Sequence, residues 1–314
     1  MSYNKPARTY AEQLEILRSR GLTIGDPAFA LRCLKHCNYY RISAYRFPLT
    51  VRGNADRFLP GATFEQMWGL YCFDRRLRHL VTEALKHFEI SVRAHWAYVL
   101  GHAHGAMAYE DPAVFRDPRR HTSALAKLDE ELDRSHEVFV SHFRQKYGMD
   151  RPPIWAVCEI MSFGLLSRFY ENIRRDHDRK AIARAYDLSP DTLKSLLEHA
   201  AYVRNLCAHH SRLWNRRFTI TVSLPRHRPA DLVSSLNPTE TRRLYDTLVL
   251  LAHVVDIVEP QSHWARRVFE LISNHASPVT AAMGFPSDWE ARPIWSGRAA
   301  DELPDSSPPM RPIA

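Results

Sequence analysis

The feature that most constrains the fold is a long stretch of helical periodicity that begins near Thr63. Its apolar residues recur at steps of three and four positions and include Leu70, Phe73, Leu77, Leu80, Val81, Ala84, Leu85, Phe88 and Val92. Thr63 followed by Gln66 has the spacing of a capping box, which marks a helix start. The stretch from Thr63 to about Leu100 therefore predicts one long amphipathic helix, or two broken ones, against which the rest of the chain packs.

Most of the remaining chain also predicts helices. We expect them over residues 10–20, 27–37, 123–147, 154–173 with a break at Gly164, 179–186, 190–209, 237–257 and 262–273. Residues 52–56 have the composition of a hairpin tip. In residues 218–223 β-branched residues alternate in the pattern of a short strand or an extended segment. The prediction is a mainly all-α fold. The expected parts are a helical cap, a main helical body and a disordered tail, over residues 1–60, 61–295 and 296–314.

Composition excludes several classes of protein. The chain has 314 residues, of which 45% are hydrophobic, so it can bury a core. It has only 11 glycines and contains neither GxGxxG nor GxxxxGK[ST], which excludes the common dinucleotide and P-loop motifs. No apolar run reaches about 18 residues and the first residues are polar, so we expect no membrane span, no signal peptide and a cytoplasmic location. Five cysteines, an odd number, favour free thiols.

The charge balance favours a polyanionic partner. Lys and Arg total 43 against 35 Asp and Glu, for a net charge of +8, and only 7 of the 43 are lysine. Arginine is suited to phosphate because its planar fork donates two hydrogen bonds to two oxygens. The excess of arginine therefore raises the expectation of nucleic-acid binding.

The densest cluster of reactive side chains lies in residues 204–216, near the predicted end of a helix. Cleavage of RNA without a metal needs a base for the 2′-hydroxyl proton, an acid for the leaving 5′-oxygen and a cation for the phosphorane. Histidine suits the proton transfers, arginine suits the phosphorane charge, and asparagine can orient either one. The predicted catalytic residues are therefore Arg204, Asn205, His209 and His210, with a symmetric dimer as one way to bring two sets together.

Helical geometry leaves interpretations of Arg204 other than a catalytic role open. At about 100° per residue, Arg204 falls within an apolar stripe, whereas His209 lies about 140° away from it. The stripe consists of Leu193, Leu196, Leu197, Ala200, Val203 and Cys207. Either the helix bends near Ala208, or the stripe at Arg204 faces a second subunit, or Arg204 is a buried structural arginine paired with an acidic residue.

Further residues are candidates for an RNA path or for a metal site. The first group consists of Arg75, Arg76, Arg78, Arg212 and Arg216, with Tyr39 and Tyr40 to stack on bases. The alternatives are solvated charges for the arginines and core packing for the tyrosines. Cys33, His36 and Cys37 lack a second pair at zinc-site spacing, and His102 and His104 lie in a predicted loop. We expect no metal and no cofactor, and a metal hydrolase is the less favoured alternative.

Several short motifs together give the chain a resemblance to a known family. They are residues 38–45 (NYYRISAY), 73–78 (FDRRLR), 152–155 (PPIW), 161–164 (MSFG), 203–215 (VRNLCAHHSRLWN), 283–286 (MGFP) and Trp289. With these motifs the chain resembles the Abi family (AbiD/AbiF-like) of bacterial abortive-infection proteins over about residues 10–290.

The resemblance implies a HEPN-like helical bundle with an N-terminal helical extension. It implies that Arg204, Asn205 and His209 match the Arg-x4-His motif of that superfamily, many of whose members are metal-independent endoribonucleases that act as dimers. It also implies phage defence or toxin-like growth arrest, in some relatives together with a small RNA. Because some HEPN proteins bind RNA without cutting it, a non-catalytic RNA-binding module of a defence or toxin–antitoxin system is the alternative function.

Overall fold

The computed structural model describes residues 6–296, and these are mainly helical. The α-helices are α1 (Tyr10–Ser19), α2 (Pro27–His36), α3 (Tyr39–Ser43), α4 (Phe64–His104), α5 (Pro118–Arg134), α6 (Val138–Tyr147), α7 (Ile154–Ile160), α8 (Phe163–Asn172), α9 (Asp176–Arg184), α10 (Pro190–Ala208), α11 (Ala230–Ser235), α12 (Leu244–Val258), α13 (Trp264–Ser273) and α14 (Ser277–Ala281). Strands β1 (Thr50–Val51) and β2 (Asn54–Phe58) form an antiparallel hairpin at the expected place. The all-α prediction is confirmed. Of the expected tail, residues 297–314 lie outside the described residues.

The predicted long helix is a single element, α4, at the centre of the fold. The Thr63 hydroxyl accepts a hydrogen bond from the Gln66 amide at 3.2 Å, and the Gln66 side chain accepts one from the Thr63 amide at 3.0 Å, as the capping box predicts. The helix runs unbroken for 41 residues and ends at Gly105, whose φ is +90°. Helices α7, α9, α10, α12 and α13 all pack against α4, so this helix positions most of the protein. Within the described residues no helix is both long and apolar enough to span a bilayer.

Helix boundaries differ from the predictions where local polar groups compete with the helix. The segment over residues 123–147 is divided into α5 and α6, because the Ser135 hydroxyl accepts a hydrogen bond from the Glu137 amide at 3.2 Å while Ser135 is extended. The break in the segment over residues 154–173 lies before α8, where the Ser162 hydroxyl caps the helix. Gly164, where we expected the break, is inside α8.

One local turn and one tertiary contact account for two further differences near α12. Residues 237–243 stay outside the helix, because the Asn237 side chain forms an Asx turn that accepts from the Thr239 amide at 3.3 Å. Residues 218–223 form no strand and follow an irregular path instead. The Ile220 carbonyl accepts a hydrogen bond from the His199 imidazole of α10 at 2.7 Å, and burial lowers the pKa of His199 to about 4.

One hydrophobic core runs through the described residues, from Leu14 of α1 to Trp295. The Thr23 amide donates to the Ala62 carbonyl, and the Phe64 amide donates to the Thr23 carbonyl, both at 2.9 Å. The N-terminal segment is therefore hydrogen-bonded to the start of α4. The division of the chain near residue 60 stays a prediction.

Asp246 of α12 is a buried carboxylate with one unsatisfied oxygen. Its Oδ1 accepts a hydrogen bond from the Asn237 amide at 2.7 Å, whereas its Oδ2 has no hydrogen-bond partner among the described residues. Burial raises the pKa of Asp246 to about 6. Because the unfolded pKa is about 3.9, the ionised form destabilises the folded state. The stability that this group contributes is complete below about pH 4 and is lost as the pH rises through about 6.

We expect Asp246→Asn to remove this pH dependence. Between about pH 4 and about pH 7.5 the variant should gain roughly 2 to 3 kcal/mol of unfolding free energy relative to the wild type. Urea unfolding at a series of pH values measures the difference. Asp133→Asn, which alters an exposed carboxylate of α5, is the control and should show no such trend. A constant difference between Asp246→Asn and wild type across this range contradicts the prediction.

Candidate functional site

A cleft of about 880 Å³ opens where α2, α3, α4 and the end of α10 meet. Its lining residues come from three parts of the chain: His36, Cys37, Asn38 and Arg41 of the N-terminal segment, Tyr71, Arg75, Arg78, His79 and Thr82 of α4, and Arg204, Cys207, Ala208 and His210 at the end of α10. The α4 residues have helical spacing, which places them on one face of that helix. The volume is within the usual range of ligand pockets, about 300–1,000 Å³.

The end of α10 directs the 203–215 motif into this cleft. The His210 amide donates to the Cys207 carbonyl at 2.9 Å, and the Ser211 amide donates to the Leu206 carbonyl at 2.8 Å, which together form a Schellman cap. The left-handed position of this cap is His210, with a φ of +54°, where glycine is the usual residue. A left-handed L-residue costs roughly 1–2 kcal/mol, so other contacts must hold the turn.

Hydrogen bonds from the N-terminal segment supply part of that support. Arg41 Nη1 donates to the His210 carbonyl at 2.6 Å, across 169 positions of sequence. In the other direction, Arg212 Nη1 donates to the Ala44 carbonyl at 2.8 Å. The Arg212 guanidinium also lies 5.9 Å from the centroid of the Trp214 ring, within cation–π range. The segment after α2 and the turn after α10 therefore form one unit.

The buried carboxylate of Asp74 joins this unit to α4. Its Oδ2 accepts from the Tyr45 hydroxyl at 2.6 Å and from Arg78 Nη1, and its Oδ1 accepts from the Leu213 and Trp214 amides at 3.0 and 2.7 Å. Burial, together with the Asp74 charge, raises the pKa of Tyr45, so its hydroxyl stays a donor. Burial alone disfavours the charged form of Arg78, but the Asp74 charge prevails and raises its pKa. Asp74 thus fixes three separate segments beneath the cleft.

The lining of the cleft is strongly cationic. Among the described residues, none that lines it is acidic. Arg78 is paired with Asp74 below the surface, whereas Arg41, Arg75 and Arg204 have no ion-pair partner in the described part of the chain. Uncompensated guanidinium groups in a concave surface attract anions, so the cleft is suited to a phosphate-bearing ligand.

The Cys207 thiol at the floor of the cleft is not poised to act as a nucleophile. Burial raises the pKa of Cys207 to about 11. Cys37 Sγ lies 3.2 Å from the Tyr71 hydroxyl, and burial raises the pKa of Tyr71. Since Cys207 is protonated at neutral pH, it supplies no thiolate.

The structure brings part of the predicted catalytic set to the cleft. Arg204 and His210 line it, whereas Asn205 and His209 are exposed beside it. Arg204 is exposed and its Nη1 donates to Asn205 Oδ1 at 3.3 Å, so the interpretation of Arg204 as a buried structural arginine is wrong. The rest of the apolar stripe on α10 is buried, as expected. Arg204 also lines a second cavity of about 750 Å³, so it lies between this cavity and the cleft.

The arginines predicted to follow an RNA path have different surroundings. Arg75 lines the cleft and is exposed, and Arg78 lines its buried floor. Arg76 is exposed but is not among the lining residues. Arg212 and Arg216 are half-buried and hold the loop after α10, with Arg216 Nε donating to the Arg212 carbonyl at 2.6 Å.

The two predicted stacking tyrosines lie outside the cleft lining. Tyr39 is half-buried against the core, and its hydroxyl accepts a hydrogen bond from Arg20 Nη1 at 3.2 Å. Tyr40 is 85% exposed. An exposed ring of this kind is available to a partner, whereas Tyr39 is held by protein contacts.

From the sequence, His36 was considered only as a metal ligand, and Arg41 and His79 were not identified as site residues. Arg41 belongs to the NYYRISAY motif, and His79 follows Arg75 by four positions, so it shares the polar face of α4. Both signals were present in the sequence, but only the packing of α3 and α10 on α4 shows that these faces meet.

Two of the residues weighed as metal ligands, Cys37 and His104, have other partners. Cys37 contacts Tyr71, and His104 Nε2 lies 2.8 Å from Asp178 Oδ2. The described residues contain no group of three or more His, Cys, Asp or Glu that is placed to hold a metal ion.

Together these features define an all-helical protein with an arginine-rich cleft built around the 203–215 motif. The sequence profile of the Abi-like protein family matches residues 32–215, and the chain belongs to this family. The matched range covers more than half of the chain and contains every lining residue of the cleft. Family membership points to abortive infection, a form of phage defence. Comparison with curated proteins and with solved structures found no match.

Proposed function

We propose that the protein is a toxin-like, metal-independent endoribonuclease of abortive-infection defence that acts on RNA in the cytoplasm. The observation that carries this proposal is the cleft in which Arg204 and His210 lie together with Arg41 and Arg75, without an acidic lining residue. Such a lining attracts a phosphodiester and offers a guanidinium for the charge of a phosphorane. The resemblance to HEPN ribonucleases points to the same chemistry.

In the proposed reaction the 2′-oxygen attacks the adjacent phosphorus and the bond from phosphorus to the 5′-oxygen breaks. One imidazole takes the 2′-hydroxyl proton, and a second protonated group gives a proton to the leaving 5′-oxygen. Arg204 stabilises the phosphorane, and Asn205 orients its guanidinium through the contact of their side chains. The products carry a 2′,3′-cyclic phosphate and a 5′-hydroxyl. A homodimer is part of the proposal, because His209 is exposed beside the cleft and a second copy can place it against the RNA. A regulatory small RNA is a further proposed partner.

RNA cleavage in excess EDTA tests the activity and its residues. We expect the wild type to cleave single-stranded RNA into the two product ends given above, and His210→Ala to lower the rate by about 10²- to 10⁴-fold. His209→Ala is measured beside it, because this comparison decides which imidazole reacts. His87→Ala, on α4 outside the cleft, is the control and should cleave normally. If the double variant of His209 and His210 cleaves as fast as the wild type, the assignment is wrong.

A second candidate function is an RNA-binding module without turnover. It is favoured by one observation: among the described residues, no side chain or carbonyl hydrogen-bonds to the imidazole of His209 or His210, whereas catalytic histidines are commonly oriented by such a partner. This candidate predicts RNA affinity that falls steeply with salt while the RNA stays intact. A filter-binding series at increasing salt, with the RNA recovered and sized, distinguishes the two functions.

A further inference from the structure

The cleft contains more imidazoles than the reaction scheme built on residues 204–210 uses. His36 at the end of α2, His79 of α4 and His210 all line it, and all three are exposed. No hydrogen bond or ring contact to another described residue occupies any of these three imidazoles. Their ring nitrogens are therefore accessible to a ligand in the cleft.

Contacts between α4 and α10 place His79 close to the turn that carries His210. Helices α4 and α10 pack against each other, and Thr82 of α4 and Cys207 of α10 line the same cleft. His79 lies three positions before Thr82 on the same face of α4, and His210 lies three positions after Cys207. His79 is thus about one helical turn from Thr82, on the side where Arg75 and Arg78 line the cleft.

We propose that His79 and His210 form the imidazole pair that transfers protons in this cleft, so that one chain carries both the acid and the base. This proposal rests on the proposed ribonuclease function. One imidazole takes the proton of the 2′-hydroxyl, while the other, protonated, gives its proton to the 5′-oxygen as the bond from phosphorus to that oxygen breaks. The reaction needs no water and no further reactant until the cyclic phosphate has formed.

Single-turnover cleavage of an RNA oligonucleotide in EDTA tests the role of His79. We expect His79→Ala to lower the cleavage rate by about 10²- to 10⁴-fold, with affinity for a 2′-O-methyl analogue of the RNA changed less than about threefold. His87→Ala, two turns further along α4 and outside the cleft, is the matched control and should cleave as the wild type does. The proposal is overturned if His79→Ala cleaves within about threefold of the wild-type rate. It is also overturned if the fold-decrease in its cleavage rate equals the fold-decrease in its RNA affinity.

A substrate with sulfur in place of the bridging 5′-oxygen assigns the two roles, because a thiolate leaves without protonation. The variant that lacks the acid should regain most of its rate on this substrate, and the variant that lacks the base should not. Restoration of either His79→Ala or His210→Ala, but not both, supports the pair. Restoration of neither or of both overturns it.

Mixing the two inactive variants tests whether the pair lies within one chain. If both imidazoles belong to the same cleft of one chain, a mixture of His79→Ala and His210→Ala stays inactive. Recovery of activity on mixing means that two chains share the pair, and it overturns the single-chain arrangement. Absence of cleavage by the wild type is a different result, because it removes the proposed function itself and is seen before any variant is compared.

Discussion

Asp74→Ala is expected to lower the free energy of unfolding by about 3 to 5 kcal/mol, because it leaves a buried charge without its partner. The Asp74 carboxylate is fully buried and accepts from Arg78, from the Tyr45 hydroxyl and from the Leu213 and Trp214 amides. Without it, the Arg78 guanidinium and two backbone amides lose their acceptor at once. Urea unfolding followed by far-UV circular dichroism measures the loss.

A double variant separates the loss of the buried charge pair from general damage to the fold. Asp74→Ala with Arg78→Met removes both charges, so it should be more stable than Asp74→Ala alone by at least about 1 kcal/mol. Asp56→Ala is the control, because Asp56 forms an exposed ion pair with Arg20 at 3.1 Å and such pairs contribute about 0–1 kcal/mol. Unfolding of Asp74→Ala within about 1 kcal/mol of the wild type would show that this carboxylate does not organise the site.

Arg204→Ala is expected to lower the rate of RNA cleavage by about 10²- to 10³-fold, the usual cost of removing one group that stabilises transition-state charge. Its guanidinium is exposed, and its only hydrogen bond within the described residues is to Asn205. The stability of the variant should therefore stay within about 0.5 kcal/mol of the wild type. Arg204→Lys keeps the charge but not the planar fork, so RNA binding should persist while cleavage falls at least about tenfold.

The control for Arg204→Ala is an arginine that is also exposed but lies outside the cleft. Arg119 of α5 is exposed, lies outside the cleft and forms no ion pair within residues 6–296. Arg119→Ala should cleave RNA at the wild-type rate. If Arg204→Ala cleaves RNA at the wild-type rate, Arg204 takes no part in the reaction. If Arg119→Ala and Arg204→Ala lose the same fraction of the cleavage rate, Arg204 acts only as a general surface charge.

Much of the secondary structure was predictable because its signals are local. The capping box at Thr63 forms as expected, since it depends on residues within one helical turn. The break at Ser135 was missed, and the break expected at Gly164 lies instead at Ser162, because the same side chains are tolerated within helices. Residues 218–223 were ambiguous, since alternation alone does not supply the neighbouring strand that a sheet needs.

The amino-acid sequence by itself determined the all-helical class, the central helix α4 and the cluster of residues 204–210, because periodicity, caps and motifs are short-range properties. Only the tertiary structure determined which residues of that cluster line a cleft together with residues of other helices. The turn at His210 depends on Arg41, 169 positions away, and the cleft depends on Asp74, which binds Tyr45 and Trp214 from distant segments. These contacts join residues that are far apart in the chain, and no local sequence pattern indicates them. Only the packing of the helices therefore shows that His79 and His210 line one cleft.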